Sequence, residues 1–438
     1  MADIVVSPQR LDSDALAALA QRRLDPLEKA LPASSAGATA AELLAARPRL
    51  SAFATPLLVL DASAIDANVA RMAAWCAERG VGLAPHGKTT MAPALWERQL
   101  AAGAWGITLA TPSQVRVALA FDLRRVQLAN ALVDPVGIAT VSRALDADPD
   151  LQVLSWVDSV RSVEAMGAVL AALRPARPLT VLVELGAPGG RTGARDLPAA
   201  RAVAAAVAAS PHLHLGGVAG YEGALAHDAS AAGLGVVRGY LRDLAALHAD
   251  LTGSYEVDEV VVTAGGSAFF DDVVDVLGPL AGPGTRVLLR SGAYVIHDDG
   301  FYRDISPFVR PGAAGAPLAS AMHAWARVVS RPEPGLALLD AGKRDVPFDE
   351  GLPEPQLAAD ALGAPARPLT GEITAVNDQH AFLRVAPDTV LDVGHVVRLG
   401  LSHPCTAFDK WREIPVTDVA AGTGEPDPVV VDLVRTYF

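Results

Sequence analysis

Cysteine is nearly absent: Cys76 and Cys405 are the two thiols in 438 residues. They allow one bridge at most, which excludes a disulfide-stapled framework and fits a reducing compartment with free thiols. Basic charge is the minority. There are 36 Lys and Arg against 49 Asp and Glu, a net charge of −13, and so acidic a chain is poorly matched to nucleic acid or an anionic membrane surface. Long apolar runs are missing as well. No stretch approaches the roughly 18–20 residues of a membrane helix, because the Ala, Val and Leu are scattered. The start, Met1-Ala2-Asp3-Ile4-Val5-Val6, lacks a basic segment followed by an apolar one, so no secretory signal is visible and a cytoplasmic setting is expected. What is present is a globular composition, 51% hydrophobic and 19% charged. The length suits two domains, or one large barrel with an appendage.

Residues 1–54 read as a partly helical extension, with Ala33–Ala40 as a linker. Thr55-Pro56 precedes a short buried strand, Leu57–Asp61. Asp61 or Ser63 can cap a helix over Ala64–Arg79, whose Ile65, Val69, Met72, Ala73 and Cys76 recur at three-to-four spacing. On that face Cys76 is a structural thiol. Short strand signals then alternate with helical stretches: Gly82–Ala84, Gly106–Thr108, Arg125–Leu128, Gln152–Trp156, Val181–Glu184, Leu215–Val218, Val260–Thr263 and Arg286–Leu289. Eight strands with intervening helices predict an α/β fold, a parallel (β/α)8 TIM-type barrel, over an open doubly wound sheet. The barrel is assigned to residues 55–305. Beyond Ser306 the helical patterns vanish. Strands are expected at Ala324–Ser330, Leu336–Asp340, Thr370–Val376, Ala381–Val385 and Val396–Leu399, making 306–438 a mainly-β domain.

In a parallel barrel, chemistry sits where strands end. The first barrel strand runs into Pro85-His86-Gly87-Lys88-Thr89. A lysine at that mouth reads either as a surface loop residue or as an amine freed for Schiff-base formation, since desolvation lowers an ammonium pKa. After the seventh strand come Gly265-Gly266-Ser267, where paired glycines let backbone N–H groups approach an anion and a hydroxyl assists. A lysine and a phosphate cradle on one barrel mouth point to pyridoxal phosphate (PLP). Arg191, within a Gly-rich loop, and Tyr221, after the sixth strand, also belong to that end. In the C-terminal part, His403-Pro404-Cys405 offers imidazole and thiolate, which both suit zinc, with open positions for water or substrate. Asn377-Asp378-Gln379-His380 reads as a turn and a second shell for that metal. His212-x-His214 precedes the sixth strand on the opposite barrel face and is set aside as a ligand pair.

Together these segments resemble the D-serine dehydratase/D-threonine aldolase family of alanine-racemase-like, fold type III PLP enzymes. The resemblance runs from about Thr55 to Phe438. It rests on Thr55-Pro56, Pro85-His86-Gly87-Lys88-Thr89, Arg98-Gln99-Leu100-Ala101-Ala102-Gly103-Ala104, Tyr221-Glu222-Gly223, Gly265-Gly266-Ser267, Leu339-Asp340-Ala341-Gly342-Lys343, Asn377-Asp378-Gln379-His380 and His403-Pro404-Cys405. It implies that Lys88 carries PLP and that Gly265, Gly266 and Ser267 hold its phosphate; His86, Arg191 and Tyr221 are assigned to the cofactor beside them, Arg191 and Tyr221 tuning its ring. It implies a divalent metal on His403 and Cys405, zinc or else manganese. It also implies that strand Leu57–Asp61 joins the β domain and that the chain forms a homodimer. Aldolase-like members tend to have Asp where Cys405 stands, and dehydratase-like members Cys. The expected activity is therefore a PLP- and zinc-dependent ammonia-lyase, with Lys88 and Tyr221 as catalytic residues. It would convert D-serine or a related β-hydroxy D-amino acid to a 2-oxo acid and ammonia. The alternatives are a metal-dependent D-threonine aldolase, a racemase, a non-catalytic PLP carrier and a metal-only barrel hydrolase. The Gly190-Arg191-Thr192 segment, the N-terminal extension and the ending Val431–Phe438 depart from the best-known members.

Overall fold

A computed structural model describes residues 9–418 and 425–438; the opening hexapeptide read above lies outside them. Eight parallel strands form one ring: β2 (Gly82–Leu83), β3 (Ile107–Leu109), β4 (Arg125–Ala131), β5 (Gln152–Val157), β6 (Leu179–Leu185), β7 (Leu213–Gly220), β8 (Val260–Ala264) and β9 (Thr285–Leu289). Their spatial order is β2-β9-β8-β7-β6-β5-β4-β3. The seam between β2 and β3 is joined by Trp105 N–H to the Leu83 carbonyl (2.7 Å), Thr108 N–H to the Pro85 carbonyl (2.8 Å) and a parallel bridge between His86 and Thr108. The expected barrel is present, and the doubly wound sheet is not. Parallel strands covered on both faces need apolar residues at every position, hence Val181-Leu182-Val183 and Val260-Val261-Val262, all buried. Thr111, Asp134, Ser159, Asp196 and Ser230 cap the helices that follow these strands, each accepting a backbone N–H of the first turn. Gly217 has no alternative in β7: at φ +149 a Cβ would lie 1.9 Å from the Val261 carbonyl oxygen.

The second sheet is mostly antiparallel. It contains β1 (Leu57–Asp61), β10 (Met322–Glu333), β11 (Leu336–Leu339), β12 (Glu354–Ala359), β13 (Arg367–Pro368), β14 (Glu372–Val376), β15 (Ala381–Arg384), β16 (Val396–Gly400), β17 (Glu413–Thr417) and β18 (Val430–Arg435). β1 precedes the barrel in sequence yet pairs antiparallel with β10 and parallel with β17. Its period-2 alternation explains how it serves both regions. Leu57 and Val59 pack with Trp325, Val396 and Val430. Leu58 and Leu60 face the opposite way, into the large core shared with the barrel helices. The following helix starts at Ala62, and Asp61 is its cap, accepting from Ala64 N–H at 3.0 Å.

The N-terminal segment is folded against this sheet. Arg22 pairs with the buried carboxylate of Glu413 and donates to the Leu433 carbonyl. Lys29 reaches Asp345 (3.2 Å) and lies 4.2 Å from the Trp411 ring centroid. The Ala33–Ala40 linker expectation needs correction. Ala33–Ser35 forms a 3-10 turn, Ala40 opens a helix with Thr39 and Glu42 as a capping box, and Ser35 and Ala40 are buried. Among the described residues no helix is long and apolar enough to cross a membrane.

Candidate active site

The C-terminal ends of the barrel strands and one loop of the second sheet enclose a cavity of about 350 Å³. His86, Lys88, Arg191, Tyr221, Gly266, Ser267, His403 and Cys405 all line it; Gly265 stands just behind. Thr89, named above only within the Lys88 motif, lines it too, as do Asn130, Trp156, Arg290 and Tyr302, which were not singled out from sequence.

Lys88 sits in a 3-10 turn, Gly87–Thr89, directly after β2. The turn is pinned by Trp96 Nε1–H donating to the Gly87 carbonyl at 3.1 Å. His86 is held between Thr108 and Gly292, and a Cβ on Gly292 would approach His86 Cβ and its carbonyl oxygen to 2.6 Å. Burial, reinforced by Lys88, Arg290 and Arg191, drops the His86 pKa well below the imidazole range, so the ring is neutral. Its Nδ1 is buried and has no protein partner.

Arg290 forms the floor. It directly follows β9, is 1% exposed, and donates through Nη1 to Thr263 Oγ1 (2.7 Å) and through Nη2 to the Gly220 carbonyl. Its guanidinium lies 4.8 Å from the Trp156 ring centroid. Burial lowers its pKa, and Glu222 and Glu184 pull the other way. Nε of Arg290 and Nε1 of Trp156 are buried without protein partners. At the rim, the Arg191 guanidinium lies 4.7 Å from the Tyr221 ring centroid. Burial and Glu222 raise the Tyr221 pKa, so the phenol keeps its proton. Glu184, beneath, accepts from Thr192 Oγ1 at 2.7 Å, and burial raises its pKa.

The Gly265-Gly266 loop differs from the expected cradle in one respect. Both N–H groups already donate to the fully buried Glu222, at 3.0 Å from Gly265 and 2.6 Å from Gly266. Ser267, Gly292 and Ala293 also line this side of the cavity, and the Ser267 hydroxyl accepts from Ala293 N–H at 3.3 Å. Gly265 is needed for its backbone, at φ +103.

The opposite wall comes from the second sheet. After β16 the chain reaches His403 in a left-handed conformation (φ 45, ψ 83), and Pro404 opens a short helix, Pro404–Phe408. His403 N–H donates to Asp298 Oδ2 (3.0 Å), and Nδ1 contacts Asp349 Oδ2 at 2.5 Å. Cys405 Sγ lies 3.6 Å from Thr89 Oγ1, next to Lys88. Burial would lower the His403 pKa, but Cys405 and Asp349 outweigh it and raise it to about 9. Burial would raise the Cys405 pKa, but His403, Thr89 and Lys88 outweigh it and lower it. Both shifts favour a thiolate beside a protonated imidazole. Among the described residues no cluster of three or more His, Cys, Asp and Glu side chains is arranged to hold a metal. A metal here would therefore take two protein ligands. The second shell assigned to Asn377–His380 is corrected. Those residues turn between β14 and β15 and contact Lys343 N–H and Asp345, and Asp349 occupies the place beside His403.

The unpartnered buried nitrogens of His86, Arg290 and Trp156, the close backbone approach at Gly292 and the lysine at the mouth suit a planar, anionic, aldehyde-bearing group such as PLP. Comparison with known proteins agrees. Residues 321–417 match the family model described as "Putative serine dehydratase domain". A D-threonine aldolase from Arthrobacter sp is 28% identical over 362 residues, covering 81% of this chain and 86% of the relative. The D-threonine aldolase of Filomicrobium marinum superposes with a TM-score of 0.72 at 24% identity, over 89% of this chain and 96% of that one. The D-threo-3-hydroxyaspartate dehydratase of Delftia sp. HT23 gives 0.69 at 20% identity, over 89% and 99%. The chain has the alanine-racemase-like fold, and its similarities run to serine dehydratase-type and D-threonine aldolase proteins.

Proposed function

We propose that this protein is a PLP- and divalent-metal-dependent lyase that removes the hydroxyl of a β-hydroxy D-amino acid, releasing a 2-oxo acid and ammonia. The observation that carries this reading is that one cavity joins the amine of Lys88 to the imidazole and thiol of His403 and Cys405. In this reading Lys88 is the attachment point for the aldehyde. Ser267 and the Gly292–Ala293 turn take the phosphate, and neutral His86 and Arg290 lie against the ring. When bound, PLP supplies a sink for the electron pair left on Cα as its proton departs. Zinc or manganese supplies Lewis acidity at the β-oxygen, since hydroxide is a poor leaving group.

The remaining work falls to the chain itself. Lys88 Nζ moves the α-proton. Arg290, fixed by Thr263 and Gly220, keeps a positive charge on the cavity floor. The protonated Tyr221, stacked under Arg191, donates rather than accepts at the rim. His403 and Cys405, lining the same cavity as Lys88, would hold the metal that takes the substrate hydroxyl. The water lost in elimination is regained when the released enamine hydrolyses, so the net products are one 2-oxo acid and one ammonia.

A second reading is supported by the curated relatives, which are a D-threonine aldolase and 3-hydroxy-D-aspartate aldolases. There the hydroxyl loses its proton and Cα–Cβ breaks, giving glycine and an aldehyde. Incubating the PLP- and zinc-loaded enzyme with D-serine, D-threonine and D-threo-3-hydroxyaspartate separates the two. Equal 2-oxo acid and ammonia is expected; glycine with an aldehyde and no ammonia would replace the first reading by the second.

A further inference from the structure

We infer that Asp349 is a positioning residue that fixes the ring orientation and tautomer of His403, making Nε2 the metal-ligating atom. The inference rests on the metal reading proposed above. His403 Nδ1 lies 2.5 Å from Asp349 Oδ2. The other carboxylate oxygen is held as well: Thr406 Oγ1 donates to Asp349 Oδ1 at 2.7 Å. Thr406 stands next to Cys405 in the same short helix. One carboxylate therefore ties together the ring of one proposed ligand and the helical turn that carries the other.

A carboxylate only accepts, so the hydrogen bond requires Nδ1 to carry the proton. In a neutral imidazole Nε2 is then the atom with a lone pair, and the carboxylate raises its basicity. The backbone is gripped separately. His403 adopts φ 45, a region non-glycine residues rarely occupy, and its N–H is held by Asp298 Oδ2. Asp298 is 1% exposed, and its Oδ1 accepts the N–H groups of Gly300, Tyr302 and Arg303. With the main chain fixed by Asp298, the ring torsion is the remaining freedom, and Asp349 removes it. Asp349 follows Phe348 in the loop between β11 and β12.

The test is metal affinity of the PLP-loaded, metal-stripped protein, titrated with Zn2+ and Mn2+ against a chromophoric chelator. Loss of an outer-shell partner typically weakens metal binding by roughly 10–100-fold, and that loss is expected for Asp349→Ala, with visible cofactor absorbance and melting temperature unchanged. Asp349→Asn keeps an oxygen able to accept from Nδ1 and should recover part of the affinity. Thr406→Val should lose less than Asp349→Ala. The Co2+-loaded protein adds a spectral readout, since a released ring changes the ligand-field band. If Asp349→Ala fails to fold, Asp349→Asn and Thr406→Val carry the test by their affinities and Co2+ spectra. Wild-type Kd values and an unchanged Co2+ spectrum in the folded variants would overturn the inference and leave the metal reading standing. If the wild-type protein bound no more metal than His403→Ala, the metal reading would fail and this inference with it.

Discussion

The two walls of the cavity are held by different means. On the barrel wall each residue stands at the end of its own strand. Lys88 follows β2, Tyr221 follows β7, Ser267 follows β8 and Arg290 follows β9, so the ring of parallel hydrogen bonds spaces them. On the sheet wall His403 and Cys405 are two residues apart on one loop. Their placement depends on carboxylates far away in sequence, Asp298 and Asp349. The closed barrel spaces the proposed cofactor residues by its backbone, whereas the proposed metal ligands hang on a few polar contacts. The barrel wall should therefore fail only when a contacting side chain is removed, and the sheet wall should also fail at a distance.

Lys88→Ala should have the largest effect. Turnover is expected to fall by about 10³-fold or more, with loss of visible absorbance, while the fold is retained by circular dichroism. Cys405→Ala should leave that absorbance intact. It should weaken metal binding by more than the roughly 10–100-fold typical of an outer-shell change, and lower turnover with it; full activity without bound metal would break the contrast between the walls. Glu222→Gln probes the barrel wall from behind. It turns one acceptor for the Gly265 and Gly266 N–H groups into a donor. A stability loss of about 1–3 kcal/mol is expected from denaturant midpoints, with PLP retention in the folded variant unchanged.

The smallest effect is on pH. Burial lowers the His297 pKa to about 4 and holds His86 and His323 well below the usual value. Between about 6.5 and 4 the unfolded chain binds protons at these rings that the folded one does not, so they make stability fall as pH drops through that window. His297→Leu should make the decline shallower, as read by urea midpoints at pH 7 and pH 5.

Much of the barrel wall was legible because parallel strands buried on both sides leave unbroken apolar runs, and the residue after each run faces the mouth. Arg290 was missed although Val287-Leu288-Leu289 directly precedes it; a charge at the end of such a run was the signal. Glu222 was quoted only as part of a motif, because nothing local shows that its carboxylate folds back onto Gly265 and Gly266. The sheet wall was legible only as His403 and Cys405. Asp349 lies in a Pro-, Gly- and acid-rich loop 54 residues away, and its pairing is a consequence of tertiary structure. The same cause misplaced Asn377–His380, a polar cluster that serves its own turn. It also hid β12 and β17, whose Glu354, Pro355, Glu413 and Pro415 disguise strands that sit within a sheet.

The central claim is the covalent attachment of PLP at Lys88. Borohydride reduction of the PLP-loaded enzyme, followed by proteolysis and mass mapping, reads it directly. The account predicts a phosphopyridoxyl group on the peptide containing Lys88, one per chain and absent from Lys88→Ala. A peptide recovered unmodified, with the label elsewhere or nowhere, would contradict it.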